Sequence, residues 1–80
     1  MGESVTIRLE VYLPFRGRRL WRGEEAVPPG TTVDALLEGL HVQEPELAVV
    51  VNGRRAASST VLQGGDEVAI LRQVEGGVNG

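Results

Sequence analysis

Residues 4–13 read SVTIRLEVYL. Val5, Ile7, Leu9, Val11 and Leu13 alternate with Thr6, Arg8, Glu10 and Tyr12. Successive side chains of a strand point to opposite faces, so this period of two predicts a strand with one face buried and one in water. The rest of the chain has to supply a cover for the buried face. Pro14 cannot donate to a ladder and ends the strand, and Phe15-Arg16-Gly17 turns the chain. Residues 20–27, LWRGEEAV, are expected to return as a second, antiparallel strand.

The cover comes next. Pro28-Pro29-Gly30 breaks the chain, and residues 31–40 then read TTVDALLEGL. Thr31 or Thr32 can cap a helix, and Thr31 with Asp34 has capping-box spacing, with Asp in place of the usual Glu. Val33, Leu36, Leu37 and Leu40 lie on one face of a helix of about three turns, which Gly39 weakens at its end. Residues 47–52, LAVVVN, form a nearly continuous apolar run, followed by the hairpin signal Asn52-Gly53. Residues 54–60 are polar and expected to loop. Val61-Leu62 is expected to form a short strand, Gly64-Gly65-Asp66 a turn, and residues 67–74 the last strand.

A helix between hairpins can bury its stripe only against one face of their sheet. The expected class is α+β, with a mixed sheet of about four to five strands and one packed helix. The first and last strands carry the cleanest alternation and are expected at the centre. If parallel, they need the crossover that the helix supplies. This is the β-grasp arrangement. It is expected over residues 1–75, with residues 76–80 as a flexible tail.

Eighty residues allow one domain, and a 41% hydrophobic, 24% charged composition excludes disorder along the whole chain. With no cysteine, a disulfide framework, a thiolate metal site and a cysteine nucleophile are all excluded. All eight basic residues are arginine, so no ε-amino group is present to accept a conjugate. The net charge of −3 argues against a nucleic-acid partner. Arg16, Arg18, Arg19 and Arg22 read either as a solvated hairpin loop or as a local basic patch. Neither a leader nor a membrane-length apolar run is visible, so no membrane partner is expected and the cytoplasm is the default location.

Side-chain catalysis has few places to sit. His41 is the only histidine and falls at the helix end, where a capping or surface role is expected. Ser58 and Ser59 lack a nucleophile-elbow setting. Asp66 and Glu67 are adjacent and point to opposite faces of a strand, so they cannot act as an acid/base pair; Asp66 is expected to hold its turn. No phosphate-cradling glycine pattern is present. The chain is therefore not expected to be an enzyme or to bind a cofactor or metal.

What remains is the glycine pair Gly76-Gly77. It reads as a frayed end or as a substrate segment. Glycine has no Cβ, so such a segment can thread a narrow channel and bring a backbone carboxylate to ATP in a partner enzyme.

Val51-Asn52-Gly53, Leu62, residues 65–71 (GDEVAIL), Val74 and Gly76-Gly77 together resemble the sulfur-carrier proteins of the ThiS/MoaD family. The helix opening at Thr32-Val33-Asp34-Ala35-Leu36-Leu37 is similar to that family's helix start. The resemblance covers about residues 28–77. It implies the ubiquitin-like β-grasp fold. It also implies a ubiquitin-activating-type partner that uses ATP to adenylate the terminal glycine, a sulfur donor that makes a thiocarboxylate, and a synthase that accepts the sulfur. Carried over, Gly77 supplies the activated carbonyl and Gly76 precedes it. Family members usually stop at the second glycine, whereas Val78-Asn79-Gly80 follow here. Either a protease removes them, as a zinc metalloprotease does in some relatives, or Gly80 is the activated end, or the chain is no longer a carrier. Trimming is the expectation.

The docking surface follows from strand parity. Val68 and Ile70 should face the helix, which sends Ala69 and Leu71 outward. Val49 and Val51 should face in, and Val50 out. Val50, Ala69 and Leu71 are expected to form an apolar patch for the partner, continued towards the tail by Arg72, Gln73 and Val74. Two other readings stay open: a ubiquitin-like modifier joined to lysines of other proteins, and a β-grasp interaction module that never activates its tail.

Overall fold

The computed structural model describes residues 3–42 and 46–72. Alternation along the first strand is realised as expected: β1 (Val5–Val11) buries Ile7, Leu9 and Val11 and exposes Thr6 and Arg8. Leu13, beyond the strand end, is also buried. β2 (Trp21–Val27) returns antiparallel, with Val5 opposite Val27 and Val11 opposite Trp21. The connection folds back on itself through paired bonds between Phe15 and Arg18 at 2.9 and 3.0 Å. Arg16 and Gly17 both have positive φ, 52° and 78°, the signature of a type I′ turn.

The remaining elements are α1 (Val33–Gly39), β3 (Leu47–Val51), β4 (Arg54–Arg55) and β5 (Glu67–Arg72). The five strands form one sheet in the order β2-β1-β5-β3-β4. β5 is its middle strand, parallel to β1 and antiparallel to β3. The core lies on one face of this sheet, where Ile7, Leu9, Val11, Val49, Val68 and Ile70 meet Val33, Leu36 and Leu40.

Local detail departs from expectation in three places. The helix has seven residues rather than three turns, because the chain reverses at once after Leu40. Of the two candidate caps, Thr32 serves, accepting a bond from the Ala35 N–H at 3.2 Å. The Thr31 hydroxyl instead donates to the Pro28 carbonyl at 2.6 Å, closing the Pro-Pro-Gly turn, so the Thr31–Asp34 box does not form. The extra strand is Arg54–Arg55 and not Val61–Leu62. Closing the Asn52-Gly53 turn forces the backbone after it into register, with Arg54 opposite Val51 and Arg55 opposite Val50. Val61 makes only an isolated bridge to Thr32. Leu62 is 2% exposed and belongs to the core.

This placement of the 56–62 segment serves the helix. Val33 and Asp34 N–H groups, which have no partner within a helix's first turn, donate to the Thr60 and Ser58 carbonyls at 2.9 and 3.0 Å. The other end is closed by a Schellman motif. His41 N–H donates to Glu38 O and Val42 N–H to Leu37 O, both at 3.1 Å. His41 occupies the left-handed position at φ 61°, where glycine is the usual residue. His41→Gly is therefore expected to raise stability by about 0.5–1 kcal/mol. Thermal unfolding followed by circular dichroism reads this as a higher melting temperature.

Candidate functional site

Two ends of the sheet and one face bear on function. At the end opposite the tail, the stretches Val51-Asn52-Gly53 and Gly65-Asp66-Glu67 clasp one another. Asn52 Nδ2 donates to Asp66 Oδ1, and the Glu67 N–H donates to Asn52 Oδ1, both at 2.9 Å. Asp66 Oδ2 accepts from the Gln63 N–H at 2.8 Å, so Asp66 holds its turn as its position implied. Main-chain bonds from Asn52 N to Glu67 O and from Arg8 N to Asp66 O complete the joint. Asn52 at φ 53° and Gly53 at 84° make the second I′ turn. Both stretches thus fix the start of β5 between its neighbours, and with it the line along which the chain leaves the sheet.

The face turned away from the helix is divided into two halves. On the β3–β5 side, Val50 stands opposite Ala69, and Ala48 opposite Leu71. Val50, Ala69 and Leu71 are half-buried, and Ala48 is buried outside the main core cluster. The apolar strip therefore exists, but its side chains shield each other and leave less surface open than parity alone implies. Ala48 was not in the expected set. Its place follows from strict alternation with Val50.

The β1–β2 side of the same face is ionic. Arg8 reaches Glu67 and Arg22 reaches Glu10, each at 3.5 Å and largely exposed, so neither pair adds much stability. The Tyr12 hydroxyl donates to Glu10 Oε1 at 2.6 Å. That bond favours the protonated phenol and raises its pKa above the ordinary tyrosine value. A shallow groove of about 520 Å³ runs between the halves, lined by Arg8, Glu10, Arg22, Val50, Glu67 and Ala69 among others.

At the far end, β5 finishes at Arg72, opposite Leu47. Arg72 is exposed and shares the register face of Ile70, so it does not lie with Ala69 and Leu71. The Tyr12 N–H donates to Ile70 O at 2.8 Å, which keeps β1 beside β5 up to this exit. Gln73, Val74, Gly76 and Gly77 lie outside the described residues.

Among the described residues no three His, Cys, Asp or Glu side chains gather where a metal could bind. No helix among them is long and apolar enough to cross a membrane.

The model of the ThiS family matches residues 15–77, a span that ends on the second glycine of the pair. No curated protein matches the chain in sequence. Among the solved structures that share its fold are two archaeal proteins. One is the Pyrococcus furiosus protein assigned as a molybdopterin converting factor, subunit 1. It is 22% identical with a TM-score of 0.70, over 89% of this chain and 100% of that one. The other is the small archaeal modifier protein 1 of Haloferax volcanii, 22% identical with a TM-score of 0.65, over 88% of this chain and 99% of that one. The mixed sheet with one helix is thus a ubiquitin-like β-grasp.

Proposed function

We propose, on the premise that this chain belongs to the ThiS family, that it is a sulfur carrier whose reactive group is the main-chain carboxylate of Gly77. The observation that carries this reading is the family match running through Gly77, together with the course of β5. The middle strand of the sheet leads from the Asn52–Asp66 clasp towards the glycine pair. The rigid body presents the tail, and a partner performs the chemistry.

Hydrolysis of the Gly77–Val78 peptide bond by a processing protease, a metalloprotease by analogy with relatives, frees the Gly77 carboxylate. In a ubiquitin-activating-type enzyme this carboxylate attacks the α-phosphorus of ATP. The bond to pyrophosphate breaks, and the product is Gly77 acyl-adenylate. A sulfur donor then attacks the carbonyl carbon and AMP departs. When the donor is hydrosulfide, the thiocarboxylate forms directly, ready for a sulfur-accepting synthase. The chain itself supplies positioning and an unbranched terminus. Gly77 lies five residues beyond Arg72, and five extended residues span at most about 18 Å. The adenylating enzyme must therefore sit against the end of the sheet where β5 leaves it, within reach of the Val50–Ala69–Leu71 strip.

The test uses the chain ending at Gly77, its adenylating enzyme, ATP and sulfide. Intact-mass measurement should show a gain equal to the difference between sulfur and oxygen. An unchanged mass in the presence of an enzyme active on another carrier would end this reading. If the source cells instead yield lysine side chains of other proteins bearing the Gly-Gly remnant, the modifier reading takes its place.

A further inference from the structure

The β1–β2 hairpin carries a charge pattern that neither the fold nor the tail chemistry uses. Residues 16–22 hold four arginines and no acid, on a chain whose net charge is −3. The rest of the molecule therefore carries seven more acidic than basic side chains. The four arginines are not equivalent. Arg16 is spent internally: its guanidinium lies 4.8 Å from the ring centroids of both Phe15 and Trp21, and it pairs with Glu25 at 3.4 Å. Phe15 and Trp21 meet edge to face at 5.7 Å. Trp21 folds back over Gly23, where a Cβ would come within 2.6 Å of the indole, so only glycine admits this arrangement. Arg22 is held by Glu10.

Arg18 and Arg19 remain. Both are exposed, and neither has an ion-pair or hydrogen-bond partner through its side chain among the described residues. Beside them Leu20 is 40% exposed, a large apolar side chain in water. Arg18, Leu20, Trp21 and Arg22 line an open groove of about 440 Å³. The aromatic stack beneath them gives this tip a fixed shape, so the two guanidinium groups are presented by a braced hairpin.

The hairpin also lies where the tail leaves. β1 and β5 run parallel, with Val11 level with Ile70, so the turn that follows β1 stands at the end of the sheet from which β5 exits. β2 is two strands from β5, about 10 Å to the side. A partner that receives the tail must cover this end and so meets Arg18 and Arg19.

We infer that Arg18, Arg19 and Leu20 form a second docking point for the adenylating partner, engaging a compact acidic patch with an apolar centre on that protein. The inference rests on the functional reading above. Charge complementarity selects the occupant. A long polyanion such as RNA would also run along the acidic remainder of the surface and be repelled, whereas a local cluster of carboxylates meets only the hairpin. Two unpaired arginines beside an exposed leucine suit such a cluster, since guanidinium groups bind carboxylates in bidentate fashion.

The experiment is titration calorimetry of the full chain against the adenylating enzyme of its source organism at low and high salt. Arg18→Glu/Arg19→Glu should weaken binding by on the order of tenfold to a hundredfold at low salt, with a smaller effect at high salt. Arg18→Lys/Arg19→Lys should retain most of the affinity, and both variants should melt like the parent. Affinity unchanged by charge reversal overturns the inference, while adenylation of the chain ending at Gly77 leaves the functional reading standing. Arginine-dependent binding without adenylation does the reverse. No binding by the parent overturns the docking point. So does a mobility shift with single-stranded RNA that disappears in the Glu variant, in favour of a nucleic-acid site.

Discussion

Leu62→Ala is expected to cost about 3 kcal/mol of stability, the ordinary result of emptying a buried leucine site. A domain of this size holds roughly 3–5 kcal/mol from its core, so the variant should sit close to its unfolding midpoint in water. Leu62 enters the core from an irregular segment and is 2% exposed beneath the helix. Its neighbours cannot close the gap easily. The Leu62 N–H is bonded to Thr31 O at 2.8 Å, and the Thr60 and Ser58 carbonyls on the same segment hold the first helical N–H groups. Urea unfolding followed by circular dichroism should show a large fall in midpoint with an unchanged slope. Val61→Ala, one residue earlier and 46% exposed, should leave the midpoint nearly where it was. Equal sensitivity at the two positions would contradict the placement of Leu62.

Gly76→Val is expected to have the opposite profile. Its position lies beyond Ile70, the last core residue among the described residues, and beyond the last described strand residue, Arg72. Stability should not change. The acyl-adenylate should form at least about a hundredfold more slowly, because a branched side chain next to the reacting carboxylate displaces it from the ATP phosphate, and small misplacements carry costs of that size. Pyrophosphate release by the adenylating enzyme, measured beside the melting temperature, separates the two effects. Undiminished release would remove the reason for assigning the glycine pair to a threading role.

β1 was legible because it has one wet and one dry face, and β5 because its inward residues recur at every second position. Val68 and Ile70 are buried against the helix as their spacing requires, and Val50, Ala69 and Leu71 share the other side. Asn52-Gly53 was legible for another reason: two consecutive positive φ angles demand those residue types. Arg54–Arg55 was not, since two exposed arginines show no apolar pattern and become a strand only through main-chain bonds imposed by the turn. The same limit applies to the candidate site. That Arg72 shares a face with Ile70, away from Leu71, is simple parity. That Arg16 is consumed by Phe15, Trp21 and Glu25 while Arg18 and Arg19 are not could not be read from four arginines in a row of seven residues.

The amino-acid order alone therefore determined the strand and helix stripes, the Asn52-Gly53 turn and the two-glycine segment. Those properties are local: they depend on backbone sterics and on side-chain periodicity within a few residues. Only the tertiary structure decided that Leu62 completes the core and which arginines keep their charge available. Each of these is a choice between partners distant along the chain. It is made by competition for the same buried space and the same hydrogen-bond donors, which no short stretch contains.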